Sequence, residues 1–153
     1  MKRENKLREL KVHYTSTQEQ SLKEKITNSE KAYDCLLPSF DKGTLGCQEQ
    51  FNVLFLSNSN QPLGIYKASK GGITSTIADI RLILGMALKS LATGLIISHN
   101  HPSGNLNPSD EDIKLTKKFK SACSLLDITL LDHIIISPFG EKYSFSDNGL
   151  MHE

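Results

Sequence analysis

Apolar residues fall into five short runs and three longer stretches of helical spacing. The first stretch is a helix over 30–37, capped by Ser29 and stopped by Pro38. Residues 49–56, EQFNVLFL, read as a strand, and the turn over 58–62 leads into a second strand over 63–68, so the two make an antiparallel hairpin. Gly71-Gly72 breaks the pattern, and Thr74 to Thr76 offer caps for a long helix over 77–91. Ile80, Ile83, Leu84, Ala87, Leu88 and Leu91 form one apolar stripe on that helix, expected to face the core. A short buried strand over 94–98 follows and runs out at Asn100. Ser109, just after Pro108, opens a helix to Leu126 with Ile113, Phe119, Ala122, Cys123 and Leu126 at helical period. The last run, ITLLDHIIIS over 128–137, is a strand, and residues 142–145 return beside it after the turn Pro138–Gly140. Helices separated by strands and hairpins predict an α/β sandwich around a mixed sheet.

Length changes this picture little: 153 residues make one domain with a core of its own. Residues 1–27 mix lysine and arginine with glutamate and show little periodicity, so they are expected to be a charged, mobile arm ahead of a domain over 28–153. The net charge of +1 gives no push toward nucleic acid or a membrane surface. No apolar run is long enough for a membrane span, and the charged first eleven residues do not suit a signal peptide, so a cytoplasmic protein is expected. Three cysteines, Cys35, Cys47 and Cys123, with no Cys-x-x-Cys pair, argue against a disulfide framework or a thiolate metal site.

Candidate chemistry concentrates in 97–112, ISHNHPSGNLNPSDED. His99 and His101 leave one face of an extended backbone, the turn residues Pro102-Ser103-Gly104 and Asn107-Pro108 send the chain back, and Asp112 falls in the first turn of the next helix. Two imidazoles and a carboxylate suit Zn²⁺, and three protein ligands plus a water is the usual catalytic arrangement. Each half also has a plain reading. Ser109-x-x-Asp112 is a capping-box pattern that needs no metal, and histidines in a loop are often only polar surface.

The joint pattern, His99-x-His101, seven residues, then Ser109-x-x-Asp112, resembles the metal signature of the JAMM or MPN+ metallopeptidases. The surrounding HNHPSGNLNPSDEDIKLTKKFK and LLDITLLDHIIIS are similar to the RadC-like branch of that family, with the resemblance running from about Asn28 to Met151. It implies the cytidine-deaminase-like JAMM/MPN fold, an α-β-α sandwich around a mixed β-sheet, and Zn²⁺ held by His99, His101 and Asp112. The family's pattern Glu-x-Phe-x-Val-Leu matches Glu49 to Leu54, which makes Glu49 the expected general base. Ser109 then becomes a candidate donor to the oxyanion of a tetrahedral intermediate. His133, in LDHI, also matches the family text and is a candidate for a place behind the metal ligands, although a histidine in an apolar strand is more usually a hydrogen-bonded core group.

The expected activity is zinc-dependent hydrolysis of a peptide or isopeptide amide, on a peptide or protein substrate. The alternatives are a DNA-repair accessory, as RadC-like proteins have been associated with DNA repair, or a non-catalytic metal-binding scaffold. Two departures bear on the choice. Longer RadC-like members carry an N-terminal segment resembling a helix-hairpin-helix module that is not seen here, and they tend to show Arg-Glu where this chain has Arg81-Leu82. A zinc deaminase would want His-x-Glu with a later Pro-Cys-x-x-Cys, which is not found. The edges of a mixed sheet leave a dimer conceivable. His13 and His152, near the ends, and the lysines 114, 117, 118 and 120 read as solvated surface.

Overall fold

Helix α1 spans Ser29–Leu36, one residue ahead of the predicted start, because Asn28 and not Ser29 is its cap: its backbone is extended and its side chain accepts from the Lys31 N–H. Pro38 sits in a single 3₁₀ turn, Leu37–Ser39, that ends the helix. The structure is a computed structural model that describes residues 24–71 and 78–152. Most of the predicted arm therefore lies outside the described residues. Within it, Ile26 is buried and its N–H donates to the Asn60 carbonyl.

Five strands follow in the predicted order, β1 (Gln50–Leu56), β2 (Pro62–Lys70), β3 (Gly94–Asn100), β4 (Thr129–Ile136) and β5 (Lys142–Ser144), with α2 (Ile80–Lys89) before β3 and α3 (Asp110–Ser124) before β4. They form one sheet in the order β2-β1-β3-β4-β5. β1 is antiparallel to β2 and β3, β3 is parallel to β4, and β4 is antiparallel to β5, so the sheet is mixed. The parallel pair needs a crossover, and α3 provides it. β1 and β3 are buried along their whole length, which is why both read as near-continuous apolar runs. One face, with Phe51, Val53, Ile97 and Ile135, packs on Ile83 and Ala87 of α2 and Phe119 and Cys123 of α3. The other, with Leu54, Ile96 and Ile134, packs on Ala32, Tyr33 and Leu36 of α1. Helices on both faces make the predicted α-β-α sandwich.

α2 is shorter than the predicted 77–91. Its cap is Asp79, whose side chain accepts from the Arg81 N–H, while Thr74 to Ile77 lie outside the described residues. At its other end Leu91 turns left-handed at φ 57°, with Leu91 N–H bonded to the Leu88 carbonyl and Ala92 N–H to that of Ala87. That is a Schellman stop, and it takes Leu91 out of the expected stripe. Ile83 and Ala87 are buried, whereas Leu88 and Leu91 are 52% and 53% exposed. α3 stops in the same way at Asp127, φ 54°, which leaves Leu126 largely outside the core. No helix among the described residues is long and apolar enough to cross a membrane.

Candidate metal centre

His99 is the penultimate residue of β3, and its backbone pairs with Phe51 on β1 and Ile135 on β4 at the centre of the sheet. Its ring lies nearly parallel to that of Phe51, with centroids 6.2 Å apart. His101 follows just past the strand, held by its N–H to the Ile136 carbonyl. There the chain turns: Gly104 N–H bonds back to the His101 carbonyl, and Gly104 takes φ 80°, which only glycine adopts cheaply. The turn brings the Asn105 carbonyl to 2.6 Å from His101 Nδ1.

The third residue arrives on the first turn of α3. Ser109 is the cap, its Oγ accepting from the Asp112 N–H at 3.1 Å, and Asp112 Oδ2 in return accepts from the Ser109 N–H at 2.7 Å and from its hydroxyl at 2.8 Å. The capping box is therefore real, and it does not compete with a metal. It grips Oδ2 and turns Oδ1 toward His99 Nε2, 3.1 Å away.

One ligand atom each from His99, His101 and Asp112 lies within 4.8 Å of the others. The two Nε2 atoms are 2.9 Å apart, and His101 Nε2 is 3.4 Å from Asp112 Oδ2. A carbonyl can only accept, so His101 Nδ1 donates to Asn105 and the Nε2 of the neutral ring carries a lone pair. Facing a carboxylate, that arrangement calls for a cation or a proton at its centre, and two imidazole nitrogens with one carboxylate oxygen are the donor set that Zn²⁺ takes. The electrostatics agree. The Asp112 carboxylate raises the His101 pKa above the ordinary histidine value against the opposing effect of burial, with smaller help from the Asn105 carbonyl and the charge of Glu49. Burial alone would raise the Asp112 pKa, but the bonds from His101, His99 and the Ser109 N–H together hold it well below the usual carboxylate range.

Glu49 precedes β1 and is half-buried. The β1–β3 ladder pairs Phe51 with His99, and continuing that register by two residues sets Glu49 opposite His101 on the same face of the sheet. Asn100, on the opposite face between the histidines, pins this segment. Its Oδ1 accepts from the Gln50 N–H, and its Nδ2 donates to the Leu45 and Gln48 carbonyls at 2.8 and 2.9 Å.

His133 on β4 lies directly behind His99, its Nε2 2.8 Å from His99 Nδ1 and its Nδ1 2.7 Å from Thr116 Oγ1. It is fully buried, stacked on Phe145, and burial pushes its pKa well below the ordinary value. Thr116 is not singled out by the sequence, and Asn100 only as the place where a strand runs out. The spacing Asp112 to Thr116 places both on one helix face, which was a usable signal, whereas the partners of Asn100 lie about fifty residues away and left none. Cys123 is core, its thiol pushed up to about 11 by burial. His152 is exposed, and His13 lies outside the described residues.

A model of the RadC-like JAB domain matches residues 26–150. Curated relatives include a UPF0758 protein of Flavobacterium johnsoniae, 48% identical over 82% of this chain and 53% of its own length, and one of Porphyromonas gingivalis, 41% identical over 88% of this chain and 58% of its own. A third, from Aquifex aeolicus, is 36% identical over 82% of this chain and 52% of its own. The chain thus spans about half the length of the curated relatives it matches. With the sheet, the crossover helix and the His-His-Asp cluster all in the arrangement described above, the chain belongs to the RadC-like JAB domain family.

Proposed function

We infer that this domain is a zinc-dependent hydrolase that cleaves a peptide or isopeptide amide. The observation that carries the reading is the convergence of His99, His101 and Asp112 within 4.8 Å. Glu49, two residues before the Phe51 that pairs with His99, supports it as the nearest carboxylate of the adjoining strand segment. Zinc bound by those three residues supplies a Lewis acid and a water whose pKa falls to about 7. The chain's own residues do the rest. Glu49, on the His101 side, takes the proton of the attacking water and returns it to the leaving amine, a role typically worth ~10²–10⁴-fold in rate. Ser109 sits at the start of α3 with its hydroxyl on Asp112 Oδ2, and rotation of that O–H toward the substrate gives a donor for the oxyanion of the tetrahedral intermediate. Asn100 holds the segment that carries Glu49. The substrate side of the proposal is a peptide or protein, and the net charge of +1 gives no push toward a nucleic acid.

Elemental analysis of the purified protein tests the reading first. About one zinc per chain, lost in a His99→Ala, His101→Ala double variant, supports it. Cleavage of fluorogenic peptide or isopeptide substrates by the wild type, and its loss in Glu49→Gln with the zinc retained, assigns the base. A protein that takes up no zinc near neutral pH sinks the hydrolase and leaves the scaffold or DNA-accessory reading, which salt-sensitive binding to branched DNA would favour.

A further inference from the structure

We propose that Thr116 and His133 are positioning residues that dictate which nitrogen of His99 carries its proton, leaving His99 Nε2 as a bare lone pair turned toward His101 and Asp112. The order of protons can be worked out from the one end of the chain that has no choice. The backbone carbonyl of Asp112 has no proton to give, so Thr116 Oγ1, 2.7 Å away, donates to it. A hydroxyl carries a single proton. Toward His133 Nδ1, also 2.7 Å away, Thr116 can then only accept, and His133 Nδ1 is the donor.

The next link follows from burial. The His133 ring is 0% exposed, packed on Phe145 and tilted against Phe51, and a charge there would be stripped of water. A neutral imidazole with its proton on Nδ1 has an accepting Nε2. Because that atom lies 2.8 Å from His99 Nδ1, the His99 nitrogen donates. His99 is thereby held with its proton on the side away from the cluster.

His101 reaches the same state by a shorter route, through the Asn105 carbonyl. Two unrelated devices thus prepare the two imidazoles alike, and orienting a ligand histidine through its second nitrogen is a general way of raising its affinity for a metal. The longer device also closes on itself. Asp112 offers its carboxylate to the cluster and, through its main-chain carbonyl four residues before Thr116, sets the tautomer of the imidazole it faces. The purpose of the device rests on the metal reading above, but the proton order does not.

The test uses the full chain, ¹⁵N-labelled and metal-free, with long-range ¹⁵N–¹H correlation spectra that distinguish protonated from bare imidazole nitrogens, and zinc titration in parallel. Wild-type His99 is expected to carry a proton on Nδ1. Thr116→Val keeps the shape and removes the hydroxyl. It should release His133 and shift His99 toward a mixture of tautomers, with zinc affinity lower by ~10–100-fold, and Thr116→Ser should restore both. A bare Nδ1 on wild-type His99 overturns the proposal. So does a Thr116→Val protein with wild-type His99 signals and wild-type zinc affinity. If the wild type takes up no zinc, the hydrolase reading fails, and the His99 signals in wild type, Thr116→Val and Thr116→Ser still decide the proton order.

Discussion

His99 Nε2 and His101 Nε2 face each other 2.9 Å apart, with Asp112 Oδ1 3.1 Å from the first. Without a cation between them, a proton shared with Asp112 is what relieves these acceptors, and the raised pKa of His101 expresses that. Zinc must displace this proton. A raised pKa means that His101 stays protonated above the ordinary histidine value of ~6.5, so zinc affinity should climb as pH rises through the His101 pKa and level off only beyond it. The metal-free protein should show the opposite sign: the stability drawn from the charged His101–Asp112 contact is full below ~6.5 and lost as pH rises through the folded-state value. Calorimetric zinc titrations in buffers of different ionisation enthalpy should register proton release that is largest below the His101 pKa and falls away above it. An affinity independent of pH from about 6 to about 8 would contradict this.

Ser109 has two separable duties. As a cap it satisfies the Asp112 N–H, and Ser109→Ala should lower stability by ~1 kcal/mol in urea denaturation. As an oxyanion donor its loss should cost kcat a further ~10²–10³-fold with zinc content unchanged. A stability loss with undiminished turnover would leave it as a cap alone.

Asn100 makes three hydrogen bonds from a fully buried side chain. Asn100→Ala leaves two carbonyls and one N–H without partners, and the expected loss is about 3 kcal/mol. Because the segment released is the one ending in Glu49, hydrogen exchange over residues 45–50 should accelerate more than over β4. Uniform acceleration would mean that Asn100 serves the sheet and not that segment.

Gly104 carries a positive φ of 80°, and a Cβ there would fall 2.5 Å from Phe139 Cε2. The Phe139 ring is 75% exposed and can swing away, so the backbone is what resists. Gly104→Ala should cost about 1–2 kcal/mol, and adding Phe139→Ala should recover little of it. Substantial recovery in the double variant would show that the ring, not the dihedral angle, sets the requirement.

The strands of this fold were legible because burial on both sides of β1 and β3 makes their apolar runs dense, and α3 because Pro108, Ser109 and Asp112 mark its start within five residues. Both readings of Ser109-x-x-Asp112 proved compatible, since a carboxylate has two oxygens and the cap needs one. α2 was misjudged at both ends. Helical periodicity counts Leu88 and Leu91 as core, but the stripe that packs on the sheet is the narrower line of Ile83 and Ala87, with Leu88 at its solvent side, and the left-handed Leu91 turns out of the pattern altogether.

By itself, then, the sequence determined the fold class, the order of the elements and the His-His-Asp set, because these depend on residue type and on spacing within one strand, one turn and one helix start. Only the tertiary structure decided that Asn100 pins the approach to Glu49, that His133 stands behind His99, and that Thr116 completes that line to Asp112. Those relations join β1, β3, β4 and α3, and a hydrogen bond between elements depends on strand register and helix placement, which are settled by packing of the whole sheet and leave no local periodicity to read.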